Sequence, residues 1–358
     1  MDFVFSEKQE ALRAAARRFL AEEFPPERVT TLSDSEAGWD PDSWKEVSTR
    51  GWLDPDLGTM EHAVLAEEAG YALYPGPLWT TLALARQAYQ GHPAADEPAT
   101  LAWRDTGVLG LAGVHATACL AEWSPGGWRL SGVKHGVPDA TTAREAAVVA
   151  RGPAGTALWR LDLGAHPEVV QNVSTLDRTR RVADLRLRRT PVEPLVAAPD
   201  APRVLFGIRR AALALLACEA VGVTHRALDV ATLHVDVTTP APATGSYGGV
   251  SHRIANVYTA LQLARALAYR AAWCVATGDD GVDTACATAT ASAGHAVIFA
   301  CENALAAVGP TASTQQRWLR RLLRRARWIN AFEGFPRARR FEPARAAHHR
   351  SRPVTRVD

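Results

Sequence analysis

Along this chain the spacing of apolar residues changes twice. It is helical near both ends and alternating in between. In the first part, Leu12, Ala15, Ala16, Phe19 and Leu20 form a stripe, and Ser6 with Gln9 makes a capping box in front of it. A second helix is predicted from about Asp42-Ser43 to Gly51. A third spans Thr59 to Gly70, with Met60, Val64, Leu65 and Ala69 on one face. A fourth covers Leu78 to Tyr89.

Between about residues 105 and 198 the pattern breaks into short runs. Turn residues such as Pro125-Gly126-Gly127 and Arg151-Gly152-Pro153 separate segments of strand composition, WRLSGVK, AAVVARG and ALWRLDL. Strands about ten residues apart predict a small β domain. From Ala201 the helical period returns in four long Ala/Leu-rich stretches, which predict a four-helix bundle. The division expected is a helical domain over 1–104, a β domain over 105–198, a bundle over 199–345 and a basic tail over 346–358, so the fold class is mainly α with a central β domain.

Composition narrows this picture little. The 358 residues are 47% hydrophobic and carry a formal net charge of +2, so no global field points to nucleic acid or membrane. No apolar run of transmembrane length and no secretory signal pattern stands out, and a cytoplasmic location is expected. The five cysteines form no CxxC pair, which argues against a zinc site or a disulfide framework. One segment, Arg317 to Trp328, is strongly basic. Its apolar members Trp318, Leu319, Leu322, Leu323 and Ala326 fall at helical spacing, so it reads as a bundle helix with a solvated basic face rather than a nucleic-acid arm.

Several strings then add a resemblance. AEEAGYALYPGPLW, GGWRLSGVKHGVPDA, TLDRTRRVADLRL, GVTHRALDVATLHV and RRARWINAFEGFPRARR, in this order and spacing, resemble stretches of the acyl-CoA dehydrogenases, in particular short members of steroid and polyketide pathways. The resemblance covers nearly the whole chain. It implies an N-terminal helical domain, a β-barrel-like middle domain and a C-terminal four-helix bundle. It also implies a flavin that accepts a β-hydride from an acyl thioester while a carboxylate takes the α-proton.

That carboxylate is carried over to Glu333, in Ala331-Phe332-Glu333-Gly334, where the family reads Y-E-G. The flavin elements match poorly. Val237 falls at the family's diphosphate-binding arginine, and Thr239-Pro240-Ala241 replaces its Gln-Phe-Gly, leaving Gly245 from that loop. Asn303 to Gly309 stands for Q-x-x-G-G-x-G with Ala306 and Ala307 at the central glycines, so Asn303 and Gly309 are the residues left to touch FAD. Leu120-Ala121-Glu122-Trp123 stands for the family's L-T-E-P stretch with its following loop and a strand apparently deleted. Val137-Pro138-Asp139 replaces a hydroxyl-bearing turn, and Pro138 has no N–H to offer.

The expectation drawn from these losses is a protein without bound cofactor, with FAD as the alternative. Three functions follow: acid–base chemistry by Glu333 on an acyl thioester or polyketide, whether on CoA, on an acyl-carrier protein or free; ordinary FAD-dependent dehydrogenation of an acyl-CoA; or a flavin-less partner subunit of a heteromeric acyl-CoA dehydrogenase. A homo-oligomer or a heteromer with a related subunit is expected, with no nucleic-acid or membrane partner. His252 and Arg253 are read as structural.

Overall fold

The structure is a computed structural model and describes residues 5–89, 97–105, 111, 117–238 and 246–332. It opens with α1 (Glu7–Glu23), capped by the Ser6–Gln9 box as expected. There follow α2 (Pro26–Asp34), α3 (Pro41–Thr49) and α4 (Thr59–Ala72). The short helix α2 has no counterpart in the sequence reading. Its nine residues bury only Val29 and Ser33, too little for a periodic signal.

The predicted fourth helix is a π-helix, Thr80–Ala85, that runs into α5 (Arg86–Tyr89). All six residues of the π turn are buried. Its widened backbone sets two adjacent threonines against the β domain. Thr80 donates to the Asp139 carboxylate, and Thr81 exchanges hydrogen bonds with the Ala99 backbone.

The strands are β1 (Ala99–Ala102), β2 (Leu120–Ser124), β3 (Gly127–Pro138), β4 (Glu145–Gly152), β5 (Gly155–Asp162), β6 (Val170–Val173) and β7 (Val182–Val196). β2 and β3 form a hairpin, β3 pairs with β7, β7 with β5, β5 with β4, and β4 returns to β2. The five strands close a small barrel, with β1 and β6 attached outside the ring. Closure leaves few free edges. A separate apolar core fills the barrel, including Leu130, Val148, Leu161 and Leu185.

Four helices complete the chain: α6 (Ala201–Thr238), α7 (Ser246–Thr277), α8 (Val282–Val308) and α9 (Ser313–Ala331). They form the expected bundle, and α6 is continuous over its 38 residues. α8 is long and apolar enough to cross a membrane by composition alone. It is instead the central helix of the bundle, packed on α6, α7 and α9, which accounts for its apolar girth. One core joins the bundle to the N-terminal helices. There α4 and α6 cross at backbone contact: a methyl on Gly70 would overlap the Glu219 carbonyl, and one on Gly222 the Glu67 carbonyl.

Candidate functional site

The three parts of the chain meet at a buried set of charges. Arg325 of α9 donates through Nε to Asp177 Oδ2 at 2.6 Å and through Nη2 to Thr179 Oγ1 at 2.6 Å, and it also pairs with Glu219 of α6. Arg180 donates to Glu219 Oε2 at 2.6 Å and lies 3.7 Å from Asp139. Asp139 in turn accepts from Thr80 on the π-helix. None of these ionic side chains is more than 5% exposed. At that burial each unpaired charge would cost several kcal/mol, so the cluster holds only because every member has an opposite partner.

The cluster explains the string Leu176-Asp177-Arg178-Thr179-Arg180. Its first, third and fourth polar members enter the joint, while Arg178 turns outward to Asp34. Burial would push the Glu219 carboxyl up, but Arg180 and Arg325 outweigh it and hold the group below the usual carboxylate range. Asp139 goes the other way. Burial dominates and raises it, against Arg180 and Thr80. Asp139 also sits at φ 51, a left-handed backbone that Asp tolerates.

Beside the charges lies an aromatic cluster. Trp79 meets Trp328 edge-on at 5.6 Å and Phe332 at 4.9 Å, and Trp103 meets Phe332 at 5.5 Å. The Arg180 guanidinium lies beside the Trp79 and Trp328 rings, 5.4 and 5.1 Å from their centroids. A crevice of about 10 Å³, lined by His62, Trp79, Arg180 and Glu219 among others, adjoins the cluster. His62 is buried there with its Nε2 unpartnered, and desolvation lowers its pKa to about 3. Phe332, the residue before Glu333, is anchored in this cluster, and Arg104 donates to its carbonyl. Glu333 itself, with Gly245, lies outside the described residues.

A short strand that the sequence reading did not find, β1, runs into Trp103-Arg104-Asp105. Leu120–Ser124 is instead the first arm of the β2–β3 hairpin. The sequence reading missed β1 because it offers only four residues, all buried, with no alternation to find. Lys134 of β3, wholly buried, donates to Asp105 Oδ1 at 2.7 Å and to Thr117 Oγ1 at 3.0 Å, and Asp105 Oδ2 accepts from the Ala118 N–H. This clasp ties together the two ends of the segment between 105 and 117. Pro138 ends β3 and gives its carbonyl to Thr100.

The remaining cofactor candidates stand at the other end of the bundle. Asn303 Oδ1 accepts from Arg253 Nη1 at 3.1 Å, while its Nδ2 donates to the Phe299 carbonyl one turn back at 2.8 Å. Each end of the amide has one partner within the chain. Gly309 ends α8 at φ 71, and its carbonyl accepts from Gln316. That backbone accounts for glycine there, and nothing approaches the place of its missing side chain. His252 is exposed on α7, and Arg253 is bound to Asn303. No group of acidic, histidine and cysteine side chains able to hold a metal occurs among the described residues.

Residues 207–336 match the acyl-CoA dehydrogenase C-terminal domain. No curated protein sequence matches the chain. Among solved structures, the steroid ACAD Tcur3481-Tcur3483 is 24% identical, with 96% of this chain and 99% of that one covered at a TM-score of 0.81. The ChsE4-ChsE5 complex from Mycobacterium tuberculosis is 21% identical, with 99% and 100% covered at 0.82. PigA with FAD and proline is 18% identical, with 98% and 100% covered at 0.84. The bundle is an acyl-CoA dehydrogenase C-terminal domain, and the whole chain has the acyl-CoA dehydrogenase fold, as the resemblance implied.

Proposed function

We propose that the chain is a partner subunit of a heteromeric acyl-CoA dehydrogenase and that it does not hold FAD by itself. One observation carries this reading: Asn303, the residue expected to meet the flavin's adenine end, is already bonded through its Oδ1 to Arg253 and through one N–H to Phe299. Two features lend support. Leu233 on α6 and Tyr258 and Leu263 on α7 are each more than half exposed, an apolar surface suited to a second subunit. Two of the structures that share the fold are named as pairs of chains. In such an assembly the companion chain supplies the diphosphate-binding residues, and this chain contributes bundle surface and the rigid joint behind the cleft.

The test is expression alone and together with a second acyl-CoA dehydrogenase chain that carries the diphosphate-binding residues. The expected result is a colourless chain alone, and a yellow complex that dehydrogenates an acyl-CoA when the two are combined. A chain that is yellow and active alone would overturn the proposal.

A second reading keeps Glu333 as an acid or base acting on an acyl thioester without redox chemistry. It is favoured by the anchoring of Phe332 between Trp79 and Trp103, which fixes the backbone next to that carboxylate. Isomerisation or elimination by the flavin-free chain, lost in Glu333→Gln, would establish it.

A further inference from the structure

The outer face of α9 is a row of arginines. The helix carries six arginines, no lysine and no acidic residue. Arg325 is spent in the joint, and Arg321 donates to Ser33 and Asp34 of α2. The other four, Arg317, Arg320, Arg324 and Arg327, are exposed. They recur at intervals of three and four residues, so they stand in one line about 15 Å long. The opposite side of the helix, with Trp318, Leu319, Leu322, Ala326 and Ile329, is buried in the bundle.

The chain does little to neutralise this row. Among the described residues, no carboxylate lies within ion-pair distance of Arg317, Arg320, Arg324 or Arg327. Asp34, beside Arg321, already serves two cations, Arg321 at 3.0 Å and Arg178 at 3.3 Å. Residues 333–358, which follow the helix, hold seven arginines against three acidic residues and are no source of counter-charge. Like charges one turn apart repel and work against the helix. The helix dipole does not offset this, because none of the arginines falls in the last turn. The whole chain carries a formal net charge of only +2, so the row is a local concentration of charge.

Three kinds of polyanion could meet such a row. An anionic membrane also needs apolar side chains to insert, and those of α9 point into the bundle; no large apolar residue of α9 is exposed. A nucleic-acid strand is held by stacking as well as charge, and the row has no exposed aromatic ring for a base. A protein helix asks for neither. Laid along α9, it repeats its side chains at the same pitch of about 5.4 Å, so carboxylates spaced by three and four meet the arginines one to one. The planar guanidinium then takes each carboxylate by two bonds.

We propose that the row Arg317, Arg320, Arg324 and Arg327 docks an acidic helix of a partner protein whose carboxylates recur every three or four residues. This surface is separate from the one assigned to a companion subunit, since Leu233, Tyr258 and Leu263 lie on α6 and α7. The inference therefore stands or falls without the partner-subunit reading.

Fluorescence anisotropy with the full chain tests it. The probe is a labelled synthetic Ala-rich peptide of about 20 residues, long enough to hold a helix, with its glutamates in one row. A peptide of the same composition with the glutamates scattered around the helix, a single-stranded oligonucleotide and phosphatidylglycerol vesicles are the comparisons. Saturable binding of one row peptide per chain is expected, weakened at least about fivefold between about 50 and about 300 mM salt. The scattered peptide should bind at least about tenfold more weakly. The double variant Arg320→Gln/Arg324→Gln should lose at least about tenfold, while Arg186→Gln/Arg188→Gln, the same charge change at exposed positions of the barrel, should stay within about twofold. Thermal melts report whether each variant is folded, and the comparison of the two peptides needs no variant. No binding of the row peptide, equal binding of the scattered one, tighter binding of the oligonucleotide or the vesicles, or equal losses in the two folded double variants would each overturn the assignment.

Discussion

Arg180 Nη2 donates to Glu219 Oε2 at 2.6 Å across the boundary between the barrel and the bundle, with both side chains nearly sealed from water. Replacing Glu219 by Gln leaves Arg180 and Arg325 facing one another with a carboxylate fewer. The expected cost is about 3–5 kcal/mol, the usual penalty for breaking one side of a buried pair. Urea unfolding of Glu219→Gln beside the parent chain measures it.

The same pair sets an acid limit. The Glu219 carboxyl is held below its ordinary range in the folded chain despite burial, because Arg180 and Arg325 favour its charge. Its contribution is therefore present above the unfolded value of about 4.3 and is lost as pH falls through the lower folded value. Melting temperature against pH should drop steeply at the acid end in the parent and less steeply in Glu219→Gln.

His62 acts in a different window. Buried beside the crevice under Trp79, it titrates near about 3 when folded, chiefly through desolvation. The unfolded chain takes up the proton at about 6.5, so folding weakens as pH falls from there toward the folded value. In His62→Gln the melting temperature should be flatter between these limits. An unchanged slope would mean that His62 stays charged in the fold.

The crossing of α4 and α6 gives a steric prediction. Gly222→Ala would force the α6 backbone away from the Glu67 carbonyl. A loss of about 1–3 kcal/mol is expected from overpacking, although alanine is the better helix former. Chemical unfolding would detect it, and a stabilised variant would show that the helices are further apart than described.

Glu333 tests the partner-subunit reading. In a complex with a flavin-bearing partner, Glu333→Gln should change the rate by less than about twofold if this chain only supports the site. A loss of about 10²–10⁴ would mark it as the acid or base. Steady-state rates of the two complexes decide.

The sequence carried the order of the architecture well, since long helices of period 3.6 and alternating strands leave clear traces. It showed less of the π turn at Thr80–Ala85, whose residues read as an ordinary helix, and less of β1, which is too short to alternate. The joint was hidden for another reason. Arg325 sits three residues after Leu322 and four before Ile329, on the buried stripe of a helix otherwise rich in exposed arginine. An arginine in phase with an apolar stripe signals a buried partner, but amid five other arginines in α9 the phase is easy to overlook. Asp139 looked like a turn residue, and only the fold places Thr80 and Arg180 upon it.

The joint also bears on how this protein can be taken apart. A fragment starting at Ala201 would retain Glu219 and Arg325 but lose Asp177, Thr179 and Arg180, and the barrel alone would keep Asp139, Asp177 and Arg180 with no counterpart from the helices. Each piece would keep one pair, Arg325–Glu219 or Arg180–Asp139, and lose the bonds that run between them. The three parts should therefore melt in one step, and dissection into separately expressed pieces should yield insoluble material even where each piece has a complete set of helices or strands.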